Sequence, residues 1–188
     1  MECKINRFKF MPGNFCTIKE MRSDRFDWNK IPALKGTYAV VREQIGIPTF
    51  LPPDKGTGGR FGGKNPNVSL QILEDKWVNF KDDDERVLYI GQAGGGKSKE
   101  TLRRRIKQYI KFGQKLPVAH WGGRFIWQLK DADILEIHWK VAESSLEDPL
   151  EVESNMLCDF KKEHKQQLPF ANLIISKHFL KGNDKKYC

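Results

Sequence analysis

Three groups of residues have types and spacings that could carry chemistry. The first is Gly91-Gln92-Ala93-Gly94-Gly95-Gly96-Lys97-Ser98, which satisfies the phosphate-loop pattern GxxxxGK(S/T) between a predicted strand and a predicted helix. In that reading the glycine N–H groups cradle phosphates at a helix N-terminus, Lys97 reaches the terminal phosphates and Ser98 holds magnesium. A phosphate-loop domain also needs a parallel sheet and a later strand ending in Asp. The later strand here ends His138-Trp139-Lys140-Val141, so a flexible glycine turn carrying two lysines is the plainer reading.

The second group lies on the helix that follows, Thr101 to Ile110. At about 100° per residue, Leu102, Ile106 and Ile110 form an apolar stripe, and Arg105 and Tyr109, four apart, share its border. Arg103 and Arg104 turn to solvent. A forked donor beside a polar ring suits phosphate recognition; a solvated basic face is the structural alternative. The third group lies on the helix from Asp148, where Met156, Leu157 and Phe160 define an apolar stripe with Glu153 in its middle and Glu151 on the opposite face. An ionised carboxylate in such a stripe requires a partner, either an arginine or a divalent cation. The loop His120-Trp121-Gly122-Gly123-Arg124 could touch phosphate or unpaired bases, or simply pack. His138 reads as a sheet histidine, and His164 and His178 carry no signal.

The elements that must position these groups follow from period and punctuation. Residues 5–31 mix aromatics such as Phe8, Phe10 and Phe15 with charges and read as an extension holding one or two strands. Gly36 to Val41 and Val87 to Ile90 are strands rich in β-branched and aromatic residues. Residues 46–64, punctuated by prolines and glycines, form a long loop. Val68 to Phe80 is a short helix capped by Ser69, packing against the core. An acidic run, 82–85, precedes the second strand, and the glycine loop runs from Gly91 to Ser98. A helix from about Lys99 to Phe112, a third strand over Ile134 to Val141, and a helix from Asp148-Pro149 to about Lys165 complete the order, Pro149 sitting at a tolerated first-turn position. The tail beyond Ser176 is basic, and no internal repeat is visible.

At 188 residues with 39% hydrophobic content, the chain suits one domain with extensions. No stretch resembles a membrane span or a secretory signal, so the expectation is a soluble protein of a bacterial cytoplasm. The four cysteines, Cys3, Cys16, Cys158 and Cys188, contain no CxxC pair and predict neither a zinc site nor a disulfide framework. Lys+Arg 33 against Asp+Glu 24 leaves a net charge of +9, which favours a polyanionic partner, nucleic acid first.

The order and spacing of five elements resemble the GIY-YIG nuclease family. Gly36-Thr37-Tyr38 looks like its GIY element with Thr in place of Ile, and Tyr89-Ile90-Gly91 matches the YIG element. Leu102-x-x-Arg105-Ile106 is similar to the family's helix arginine, and Tyr109 falls where many members have His and some Tyr. Glu153-x-x-Met156-Leu157 is similar to the metal-binding glutamate, and Pro169-Phe170-Ala171-Asn172 to the closing P-x-x-N. The likeness runs from Gly36 to Asn172, and the chain departs from it in a long insertion, 46–85, and in the glycine-lysine-serine loop.

The resemblance implies an α+β domain over 36–175, with a small antiparallel sheet of three strands flanked by helices, preceded by an extension over 1–35 and followed by a tail over 176–188. It implies a metal-dependent DNA endonuclease of restriction, repair or mobile-element type, with RNA still open as a substrate. Glu153 would hold Mg²⁺ or Mn²⁺ against the scissile phosphate, and Arg105 would neutralise charge on its non-bridging oxygens. Tyr38 or Tyr89 would take the proton from water, although at pH 7.5 only about 0.3% of free tyrosine is ionised, so nearby cations must assist. Tyr109 joins them, Gly36, Gly91 and Asn172 give structural support, and Lys97, Arg104, His120 and Arg124 are candidate substrate contacts. One site per chain implies a homodimer or sequential nicking for double-strand breaks. The rival readings are a nucleic-acid-binding module that does not cut, and a phosphate-loop nucleotide-binding protein.

Overall fold

The computed structural model describes residues 14–60, 62–80, 87–118 and 120–175. The aromatics Phe8 and Phe10, the acidic run 82–85, Cys3, Cys188, His178 and the tail from 176 lie outside them.

The sheet grows outward from Gly36–Val41 (β2), whose six residues are all buried. β-branched and aromatic side chains suit a strand covered on both faces. Val87–Ala93 (β3) and Glu136–Val141 (β4) flank it, both antiparallel, pairing Tyr38 with Gly91 on one side and with Trp139 on the other. A fourth strand, Phe15–Thr17 (β1), pairs antiparallel with β4 and sets Phe15 opposite His138. The order is therefore β1-β4-β2-β3. The α+β class is as expected, but the sheet has four strands where three were expected, because the extension supplies the outer one.

That extension is built into the core. Thr17 and Glu20 form a reciprocal capping box that starts the helix Ile18–Arg22 (α1), and Ile18, Met21 and Ile31 are buried. The irregular segment after β2 is fastened by one buried side chain: Gln128 donates to the carbonyls of Leu51 and Val68 and accepts from the Val68 N–H. A loop of this length satisfies its backbone through such ties. Ser69 caps the helix Leu70–Phe80 (α2) through the Ile72 N–H, as expected. Its Trp77 packs against Phe50 and Phe170.

Three boundaries differ from expectation. β3 continues through Gly91 to Ala93, because paired neighbours on β2 hold this glycine stretch extended. The next helix, Leu102–Phe112 (α3), starts only after Thr101, whose hydroxyl caps Arg104. Ile134 belongs to a short 3-10 turn ahead of β4. The last helix, Pro149–Glu163 (α4), begins where its signals place it, with Asp148 capping Leu150 and Pro149 in the first turn. Cys16 is free and buried, whereas Cys158 is disulfide-bonded, against the expectation from cysteine spacing. Among the described residues no helix is long and apolar enough to cross a membrane.

Candidate active site

Tyr38 lies opposite Gly91, and Tyr89 opposite Val40. Strand alternation therefore puts Tyr38, Gly91 and Tyr89 on one sheet face, the tyrosines as diagonal neighbours. Their ring centroids are 6.0 Å apart at 60°. The space between them exists because residue 91 has no side chain: a Cβ there would stand 2.7 Å from Tyr38 Cζ and 2.9 Å from Tyr89 Cε1. Gly36 is equally constrained, since its Cβ would meet the Lys140 carbonyl at 2.1 Å. Asn172 holds the strand from outside. Its amide accepts from the Ile90 N–H and donates to the Ile90 carbonyl, both at 2.9 Å, and the Ala171 N–H bonds the Leu88 carbonyl.

α3 brings Tyr109 against this pair, 5.9 Å from Tyr89 and 6.4 Å from Tyr38. Its hydroxyl donates to the Gly123 carbonyl at 3.0 Å, so that proton is committed. The His120 and Trp127 rings lie tilted against it, with centroids at 4.6 and 4.8 Å. Leu102, Ile106 and Ile110 are buried as the stripe requires, Arg104 is exposed, and Arg105 stands half-buried at the border.

Arg105 acts electrostatically on Tyr38, Tyr89, His120 and Glu153. On α4, Glu153 is half-buried beside buried Ser154 and Leu157, and Glu151 is exposed. Burial pushes the Glu153 carboxyl up to about 7, and the Arg105 guanidinium works against that rise. Burial also raises the Tyr38 phenol, with Arg105 pulling it down and Glu153 pushing it up. Tyr89 stands well above the ordinary value, first through burial and then through Tyr38 and Glu153. The Tyr38 hydroxyl has no fully formed hydrogen bond among the described residues, although Tyr89 and Arg105 approach it and favour its ionised form. Desolvation and Arg105 push the His120 pKa well below the usual imidazole value, which favours the uncharged ring, and the ring packs behind Tyr109.

The elements thus gather Tyr38, Tyr89, Tyr109, Arg105, Glu153 and His120, with Gly36, Gly91 and Asn172 as supports. Lys97 and Arg104 stand exposed outside this group, and Arg104 meets Glu100 at 3.3 Å. The glycine loop is tied down differently from a phosphate cradle: the Gly95 N–H donates to Gln92 and the Gly96 N–H to the Asp148 carboxylate at 3.0 Å. The sheet is antiparallel and α3 starts four residues beyond Ser98, so the helix that follows the loop does not open its N-terminus onto it. Sequence reasoning missed two contributors. Gly122 lies against Tyr89, where a Cβ would be 2.5 Å from the hydroxyl, and Asp148 joins the glycine loop to the first turn of α4. The Gly122-Gly123 pair flanked by Trp and Arg was the visible sign of the first.

Among the described residues no three His, Cys, Asp or Glu side chains converge to form a metal cage. Glu153 is the carboxylate within the tyrosine and arginine group. No protein-family model, curated protein or solved structure matches the chain.

Proposed function

We propose that the chain is a divalent-metal-dependent endonuclease of the GIY-YIG type acting on DNA. The observation that carries this reading is the convergence of two strand tyrosines, a helix arginine and a half-buried glutamate whose carboxyl is pushed up to about 7. A basic chain of net charge +9 supports a polyanionic substrate.

Glu153 fits a magnesium or manganese ion: a carboxylate that burial drives toward the neutral form gains a compensating charge from a cation. One carboxylate suffices where phosphate oxygens and water complete the shell, which is the habit of magnesium. Such an ion, when bound, supplies Lewis-acid stabilisation of the phosphate and leaving oxygen. Arg105 binds a non-bridging oxygen and opposes the charge that develops there. Of the two strand tyrosines Tyr38 is the better proton acceptor, since burial raises its phenol less than that of Tyr89 and Arg105 opposes the rise. Tyr89 orients water or phosphate. Tyr109, its hydroxyl donating to the Gly123 carbonyl, keeps the two in place.

The test is cleavage of supercoiled plasmid and mixed oligonucleotides with Mg²⁺ or Mn²⁺, with an EDTA control. Glu153→Gln is expected to cut about 10²- to 10³-fold more slowly, as for loss of one transition-state contact. Cutting at the wild-type rate by this variant refutes the assignment. A second reading, binding without cleavage, draws on the burial of all three tyrosine hydroxyls. Tight DNA binding with no cutting by the folded wild type would establish it.

A further inference from the structure

The loop beside the tyrosines carries a charged group that the proposed chemistry does not use. Arg124 opens the 3-10 turn Arg124–Gln128, directly after Gly123 in a left-handed conformation, φ 71°. Its guanidinium carbon lies 4.7 Å from the Trp121 ring centroid and 4.9 Å from that of Phe125. Nε and Nη1 are closed off from solvent with no hydrogen-bond partner among the described residues. None of the ion pairs among those residues includes it, and burial lowers its pKa from the ordinary guanidinium value.

Arg124 is half-buried, and guanidinium nitrogens closed off without an acceptor are costly, while a cation held against two rings is already fixed in orientation. Its position is also defined. Gly122 and Gly123 pack on Tyr89: a Cβ on Gly122 would meet the hydroxyl at 2.5 Å and one on Gly123 the ring at 3.2 Å. Two Cα steps span at most about 7.6 Å, so the backbone of Arg124 sits one short reach from the Tyr89 hydroxyl. Nη2, the nitrogen not closed off, is the edge from which it can donate.

We infer that Arg124, braced by Trp121 and Phe125, binds a backbone phosphate adjacent to the scissile one and sets the register of the strand over the tyrosines. The inference rests on the nucleic-acid reading above for the identity of the polymer. Phosphate contacts of this kind position a strand without reading its sequence, and a misplacement of about 1 Å at the reacting phosphate can cost about 10²-fold in rate.

The test is fluorescence anisotropy of the full chain with a short DNA duplex in EDTA, where cleavage plays no part, over a range of salt. Arg124→Met fills the space between the rings without charge, and its slope of log K against log salt is expected to be shallower by about 0.9, one phosphate contact. A scan of methylphosphonate substitutions, each neutralising one phosphate, is expected to find a position that weakens the wild type and leaves Arg124→Met unaffected. Arg124→Lys keeps the charge and loses the fork, so it keeps the slope while losing affinity. Equal slopes for wild type and Arg124→Met, or a wild-type scan with no sensitive phosphate near the cut, overturn the inference and leave the nuclease reading standing. No DNA binding by the wild type at low salt overturns both. An Arg124-dependent slope with no cleavage overturns the nuclease reading alone.

Discussion

Two arginines, Arg42 and Arg124, show how pairing separates scaffold from surface chemistry. Arg42, just beyond β2, is buried with its Nε 2.7 Å from Asp131 and its Nη1 donating to the carbonyls of Gln44 and Gly46. It closes a turn, and every contact is to the protein itself. Arg124, beside the tyrosines, is held by two aromatic faces and by no acceptor among the described residues. Buried polar groups are normally satisfied internally; Arg42 follows that rule as a fixed corner of the fold, whereas the unpaired forked charge of Arg124 is the group we propose for a phosphate.

The contrast breaks most sharply in stability. Arg42→Met strands the Asp131 carboxylate and two carbonyls, and unfolding free energy is expected to fall by about 3 kcal/mol, lowering Tm by roughly 6–12 °C. The salt slope of DNA binding stays unchanged. Arg124→Met should do the reverse, leaving Tm level or raising it. Calorimetry of the two variants side by side decides this, and a large loss at Arg124 would erase the distinction.

Asn172→Ala extends the comparison to an uncharged group of the paired kind. It leaves the Ile90 N–H and carbonyl without partners, an expected loss of about 2 kcal/mol, seen in the urea midpoint and in faster amide exchange at Ile90. Unchanged protection at Ile90 would place the bracing of β3 elsewhere.

Glu153→Gln gives the smallest effect, and its sign depends on pH. The folded carboxyl keeps its proton up to about 7 against an ordinary value of 4.5, so between those limits the folded state binds more protons than the unfolded one. Wild-type stability therefore declines as pH rises through that window. The variant, which does not titrate, is expected to exceed wild type by about 1–2 kcal/mol at pH 8, after allowance for partial solvent contact, and to lose that advantage below pH 4.5. A difference independent of pH would mean that Glu153 ionises freely.

Much of the fold was legible because local signals agreed with tertiary need. β2 occupies the expected Gly36–Val41, and α4 starts at the Asp148-Pro149 cap. The helical period correctly put Arg105 at a border and Glu153 within an apolar stripe. What escaped depends on partners far along the chain. A strand was expected in residues 5–31, but not its place: β1 joins the main sheet because β4 receives it. Gly91 to Ala93 reads as a turn in isolation and is extended only beside β2. The phosphate-loop pattern is a local match whose Gly96 N–H is held by Asp148, 52 positions later. The pairing states of Arg42 and Arg124 likewise follow from residue 131 and from ring placement, which composition and spacing do not encode.

The clasp of Asn172 on Ile90 has a consequence for assembly. β3 is the outer strand on its side of the sheet, and an outer strand with open N–H and carbonyl groups recruits strands from other molecules. Ala171 takes the outward carbonyl of Leu88, and Asn172 takes both groups of Ile90. One side-chain amide thus does at Ile90 what a further strand would do, covering the middle of the edge against edge-to-edge pairing.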